Sequence, residues 1–206
     1  MRLMARGRPR TFDRDAALTA AVRLFWERGY EATSIGDLTG AMGIRPASLY
    51  AAFGDKKSLF REAVEAYGRS PEGAFIANAL TGEPTARGAI ARILNEAAAV
   101  YADRSHPAGC LTISAATNVT PQDAEVETHL RDLRNANLKR FEARLRKAQS
   151  DGELPATANP KALAHYFAAV IQGMSQQARD GATQETLTQI ADHAMQAWPP
   201  HQRDAM

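Results

Sequence analysis

Alanine is the feature that most narrows the fold: 41 of the 206 residues are Ala. Alanine is the strongest helix former because its side chain loses no rotamer freedom in a helix. Nowhere does the chain alternate apolar and polar residues for long, as a half-buried strand requires. An all-α fold is predicted. On a prior of about 150 residues per domain, the length fits one or two domains. Cys110 is the sole cysteine, which excludes an intrachain disulfide framework and a Cys-rich metal site. No run approaches the roughly 18 continuous apolar residues of a spanning helix. The Arg-rich start lacks the apolar stretch of a secretory signal. A cytoplasmic location and no membrane partner are expected.

Punctuation and period predict about nine helices. The first covers about 13–28, with Leu18, Ala21, Val22 and Phe25 on one face. Thr33 or Ser34 caps a second over about 35–42, with Asp37 as the acidic partner of Ser34. Gly43 and Ile44 make a tight turn, and Pro46 opens a third helix over about 46–52. Asp55 caps the fourth. The run Gly68-Arg69-Ser70-Pro71 reads as a break, because proline removes a backbone donor and disfavours helix at the residue before it. Five more helices are expected over about 85–103, 107–118, 121–150, 160–180 and 184–198. The expected organisation is an N-terminal three-helix unit over residues 1–70 and a C-terminal helical bundle over 71–206.

Two short helices joined by a Gly-containing turn and packed on a first helix form a helix-turn-helix. Its second helix can lie in a DNA major groove, which is just wide enough for it. Leu49 and Phe53 fall on the inward side of that helix. Arg45, Pro46, Ala47, Ser48, Tyr50 and Ala51 remain for the outward side. Arg45 can pair bidentately with a guanine edge. Thr33, Ser48 and Tyr50 can hydrogen-bond phosphates, and Lys56 adds charge at the next helix start. Charge distribution points the same way. Net charge is +2 overall, but residues 1–69 carry 12 Lys and Arg against 8 Asp and Glu. Arg6, Arg8 and Arg10 belong to a basic arm over residues 1–11.

Ala17, Ala21, Leu24-Phe25, Gly29-Tyr30, Thr33-Ser34-Ile35, Ala41-Met42-Gly43-Ile44, Ser48-Leu49-Tyr50, Phe53, Lys56 and Leu59 form one ordered string. With these residues, 10–67 resembles the N-terminal domain of the TetR family of bacterial transcriptional regulators. Gly40, inside the second helix, departs from the pattern and weakens that helix. The resemblance implies a homodimer that binds a palindromic double-stranded operator through its third helices. It also implies a C-terminal domain that binds a small inducer and pairs its last two helices with those of its mate. The predicted function is a ligand-released repressor. The competing class is a small all-α ligand-binding or interaction protein without a DNA partner.

Tyr67, Tyr101, Cys110, Leu111, Ser114, Asn118, Phe141, Phe167 and Met174 are the expected pocket residues, with Phe75, Tyr166, Thr117 and Asn137 as further candidates. Ordinary core packing competes with that role at each. Cys110 reads either as a small buried hydrophobe or as a thiol activated at a helix N-terminus. Leu163, Tyr166, Val170, Gly173, Leu187, Ile190, Ala194 and Trp198 are the expected dimer face. The five histidines do not converge on a three-ligand metal site. No nucleophile motif, phosphate loop or dinucleotide fingerprint is present, so neither cofactor nor catalysis is expected.

Overall fold

The computed structural model describes residues 12–200. Within them the chain forms ten α-helices and one short 3-10 turn, with no strand. The all-α expectation is met, with one helix more than expected.

α1 (Arg14–Arg28) starts where the Asp13 carboxylate accepts from the backbone N–H groups of Asp15 and Ala16, at 3.0 and 3.1 Å. Its buried side is Ala17, Ala21, Leu24, Phe25 and Trp26. Leu18 and Val22 are only partly buried, so the buried stripe is rotated from the expected face. A full capping box opens α2 (Ile35–Met42): the Asp37 N–H donates to Ser34 Oγ at 3.0 Å, and the Ser34 N–H donates to Asp37 Oδ2 at 2.9 Å. Those bonds from Ser34 hold the Asp37 carboxyl below its usual range. Gly43, at φ 64° and ψ 31°, closes α2 in the left-handed region, which a side chain would disfavour. α3 (Pro46–Phe53) begins on its proline, and Asp55 caps α4 (Lys56–Arg69) by accepting from the Ser58 N–H at 2.7 Å.

α1, the turn after it and α4 meet at an aromatic centre. Phe60 of α4 meets Phe25 edge-on at 5.0 Å and Tyr30 at 5.1 Å. Arg14 clamps the outside. It donates to Glu62 of α4 at 2.5 and 2.7 Å and lies 4.4 Å over the Phe53 ring at the end of α3.

Pro71 does not only end α4. It is the first residue of α5 (Pro71–Gly82), a helix the punctuation did not suggest. The close approach of the two helices requires Gly73, where a Cβ would collide with the Tyr67 carbonyl. α6 (Ala86–Ala102) is the central rod of the larger body. Ile90, Ile93, Leu94, Ala97, Ala98 and Tyr101 are all buried along it, and α5, α9 and α10 pack around it.

The helix expected over 107–118 shrinks to α7 (Leu111–Ser114). Tertiary partners take the backbone groups that a longer helix would use. The Gly109 N–H donates to the Tyr101 carbonyl at 3.0 Å, the Cys110 N–H to Ser175 Oγ at 2.9 Å, and the Tyr30 N–H to the Ala115 carbonyl at 2.6 Å. A 3-10 turn over Pro121–Asp123 leads into α8 (Ala124–Ser150). α9 (Pro160–Arg179) and α10 (Gln184–Met195) complete the fold, α10 ending short of the expected residue 198. Arg179 of α9 reaches the end of α1, donating to the Trp26 and Glu27 carbonyls at 3.2 and 3.3 Å. A cation there complements the helix dipole.

Candidate nucleic-acid interface

α3 is anchored by two residues. Leu49 is fully buried and Phe53 nearly so. Spaced four apart, they turn one side of α3 into the core and the other out. Arg45, Pro46, Ala47, Tyr50 and Ala51 are exposed, and Ser48 is half-buried. Tyr50 keeps 50% of its surface, one of the two most exposed large hydrophobics of the described chain. Arg45 stands at the N-cap of α3, where its side chain makes no capping bond. Small residues beside one guanidinium and one phenol leave room for a groove floor to approach.

Two expected contacts are placed elsewhere. Thr33 is fully buried, and its hydroxyl donates to the Gly29 carbonyl at 2.6 Å, so it has no surface to offer a phosphate. Its polar side chain pins the turn after α1 instead. Lys56 does not extend from the α3 face. Its Nζ lies 4.1 Å from the centroid of the Tyr30 ring, and burial lowers its pKa. Arg6, Arg8 and Arg10 lie outside the described residues.

The next two cations of α4 serve an ion-pair cluster that sequence reasoning missed. Lys57 Nζ is 3.0 Å from both Asp123 and Glu125 and donates to the Gln122 carbonyl at 2.9 Å. Arg61 meets Glu125 at 2.6 Å. The bond from Lys57 holds the Glu125 carboxyl below its usual range, and bonds to Asp123 and Glu125 raise Lys57. The start of α4, directly after α3, is thereby tied to the head of α8. The only sequence signal was charge complementarity between Lys57/Arg61 and Asp123/Glu125, some 65 residues apart.

Of the nine leading pocket residues four line two cavities, and Asn137, a further candidate, lines both. Tyr101, Cys110 and Phe141 border a space of about 40 Å³ together with Thr112, Arg134 and Asn137. Tyr67 borders a neighbouring space of about 220 Å³, which shares Ile76, Thr112 and Asn137 with the first. The other five do not line these spaces. Leu111, Phe167 and Met174 are packed in the core, Asn118 is exposed, and Ser114 donates to the Cys110 carbonyl at 3.0 Å. Arg134, Thr112 and Gln172 were missed: a charged or polar residue on a helix reads from sequence as solvated.

The expected dimer face divides in two. Leu187 is buried inside the protomer, and Ala194, also buried, sits at the floor of a groove between α9 and α10. Trp198 is partly buried, its ring 6.3 Å from that of Phe167 at the edge of the core. Tyr166, Val170 and Ile190 line the same groove, which opens outward, and Tyr166 is 40% exposed. Gly173 is exposed and Leu163 partly buried.

A capped turn presenting one short helix outward, joined to a larger helical body, defines a helix-turn-helix regulator. Comparison with known proteins gives the family. Residues 17–63 match the model described as "Bacterial regulatory proteins, tetR family". Residues 84–197 match the "Tetracyclin repressor-like, C-terminal domain". The chain is 36% identical over 195 residues to the HTH-type transcriptional repressor ComR of Escherichia coli (strain K12), covering 95% of this chain and 93% of that one. It is 28% identical over 191 residues to the repressor BdcR of the same organism, covering 93% and 91%. Its fold superposes with a TM-score of 0.89, at 42% identity, on a cysteine-substituted TetR family transcriptional regulator CifR complexed with 26-bp operator DNA. That match covers 94% of this chain and all of the other. The chain belongs to the TetR family of bacterial transcriptional regulators. Among the described residues, no helix is long and apolar enough to cross a membrane.

Proposed function

We propose that this protein is a cytoplasmic transcriptional repressor, without catalytic activity or a cofactor, that binds a palindromic operator as a homodimer and is released by a small molecule. The observation that carries this reading is the exposed face of α3, held outward by the buried Leu49 and Phe53. Arg45, Pro46, Ala47, Ser48 and Tyr50 are the DNA-facing residues. Residues 1–70 form the DNA-binding domain, and 71–206 bind the ligand and the mate. The operator complex of the related CifR supports the assignment.

Release follows from one continuous helix. α8 begins at the ion-pair cluster with α4 and then supplies His129, Leu133, Arg134, Asn137 and Phe141 to the two cavities. A ligand that shifts α8 therefore pulls on the start of α4 and, through it, on α3. Weakening operator binding 100-fold takes about 2.7 kcal/mol of coupling, and by linkage DNA must weaken the ligand by the same factor.

The test is a mobility shift at physiological salt on DNA upstream of the protein's own gene. A sequence-specific shift is expected. Binding no tighter than to unrelated DNA would favour the helical binding protein without a DNA partner.

The basic arm gives a separate prediction. Deleting residues 1–10 removes four arginines. For every phosphate that thereby goes unneutralised, the log–log salt dependence of binding should flatten by about 0.9. Titrations at several salt concentrations measure the slope. An unchanged slope would take the arm off the DNA.

A further inference from the structure

We propose that the two-lobed cavity along the seam of α5 and α8 takes a monocarboxylate with an apolar body, its carboxylate paired with Arg134 in the inner lobe and its body in the outer one. This deepens the reading of that cavity as the ligand site and rests on it.

The first observation is an unanswered charge. Arg134 stands on α8 and borders the inner lobe, a space of about 40 Å³. A guanidinium has five N–H donors. One of them meets the Thr112 carbonyl at 2.8 Å, and Arg134 makes no ion pair among the described residues. Burial lowers its pKa, and Glu127, two turns back along α8, acts on it only at longer range. Every other residue bordering the inner lobe is uncharged, so the lobe holds one positive charge and nothing to meet it. A desolvated cation without a counter-charge is costly, and a guanidinium fork matches the two oxygens of a carboxylate.

The second is a donor beside that charge. Asn137 follows Arg134 by three residues, which puts both on one face of α8. It borders both lobes. Its Oδ1 accepts from Arg140 at 3.5 Å, and its amide N–H groups have no partner among the described residues. Guanidinium and amide together offer donors to both oxygens of one carboxylate.

The third is shape. The inner lobe has room for about three waters, the size of a carboxylate group. The outer lobe is about 220 Å³, and Val64, Ala74, Ala77 and Leu133 give it small and apolar walls. Its two charged neighbours, Glu65 and Arg140, are opposite in sign and offset each other. Ile76, Thr112 and Asn137 wall both lobes, so only side chains stand between them. The charged head therefore belongs inside and the apolar body outside. The heptyl tail of octanoate fits the outer lobe.

Titration calorimetry of the full-length protein with octanoate, and with octanamide as its uncharged counterpart, tests the assignment. Octanoate should bind about tenfold more tightly, the gain of a hydrogen bond to a charged group over one to a neutral group. Arg134→Gln keeps a donor for the Thr112 carbonyl and loses the charge. It should weaken octanoate on the order of tenfold to a hundredfold and leave octanamide unchanged. Arg134→Lys, which keeps the charge, should lose less. Ala77→Phe fills the outer lobe and should weaken both ligands alike. Circular dichroism checks the helical content of each variant. Octanoate bound no more tightly than octanamide would overturn the proposal, as would an equal loss of both ligands in Arg134→Gln or undiminished octanoate binding in Ala77→Phe. Operator affinity with and without octanoate is a separate readout. Octanoate binding through Arg134 with unchanged DNA binding would contradict release through this cavity and leave the carboxylate site standing.

Discussion

Val170→Asp should yield a monomer that keeps its helical content and binds a full palindrome about 100- to 10,000-fold more weakly, the avidity that two linked half-sites supply. Val170 and Ile190 pack against the core with one side and, with Tyr166, line the outward groove between α9 and α10 with the other. A carboxylate buried there against a mate's apolar strip would be desolvated without a counter-charge. The operator requires two recognition helices about 34–36 Å apart, which a monomer cannot present. Sedimentation velocity gives the association state, and fluorescence anisotropy on labelled operator gives the affinity. A dimer of unchanged affinity would move the interface off α9 and α10.

Phe60→Ala should destabilise the N-terminal unit by about 3–5 kcal/mol, the range for emptying a buried aromatic site. Phe60 is fully buried, with Phe25 and Tyr30 as its ring partners at 5.0 and 5.1 Å. A domain's total stability is only about 5–15 kcal/mol, so α3 would lose its platform and DNA binding would fall with it. Urea unfolding followed by tyrosine and tryptophan fluorescence reads the change. A loss under about 1 kcal/mol would mean that this cluster is not the core that positions α3.

Most of the helices were legible because their ends are written in local chemistry. Ser34 with Asp37, Gly43, Pro46, Asp55 and Pro160 all terminate or start helices as a reading of caps and turns expects. Where local signals mislead, packing decides. Pro71 reads as a stop after α4, yet proline is equally suited to a first helical position, and α5 forms because Phe75 and Ala79 are buried against its neighbours. The opposite happens at 107–118, where bonds to Tyr101, Ser175 and Tyr30 replace helical ones.

The outward face of α3 was legible because two anchors, Leu49 and Phe53, fix which side of the helix is free. Thr33 was misplaced because a hydroxyl beside a cap carries no sign of whether it faces solvent or the Gly29 carbonyl. The pocket was the least legible part. An apolar stripe such as Phe167 and Met174 has the same period whether it walls a cavity or fills a core. Arg134 and the Lys57–Glu125 pair depend on partners many residues away.

The central claim is that the exposed face of α3 reads DNA sequence, and the affinity of Arg45→Ala for operator and for scrambled DNA at one salt concentration tests it most directly. Arg45 opens α3 with an exposed guanidinium that caps nothing in its own chain, and a bidentate guanine contact is worth about 1–3 kcal/mol. The account predicts a loss of that size on operator and a much smaller one on scrambled DNA. Equal losses on both would reduce Arg45 to a phosphate contact, and no loss on either would contradict the assignment of α3 as the recognition helix.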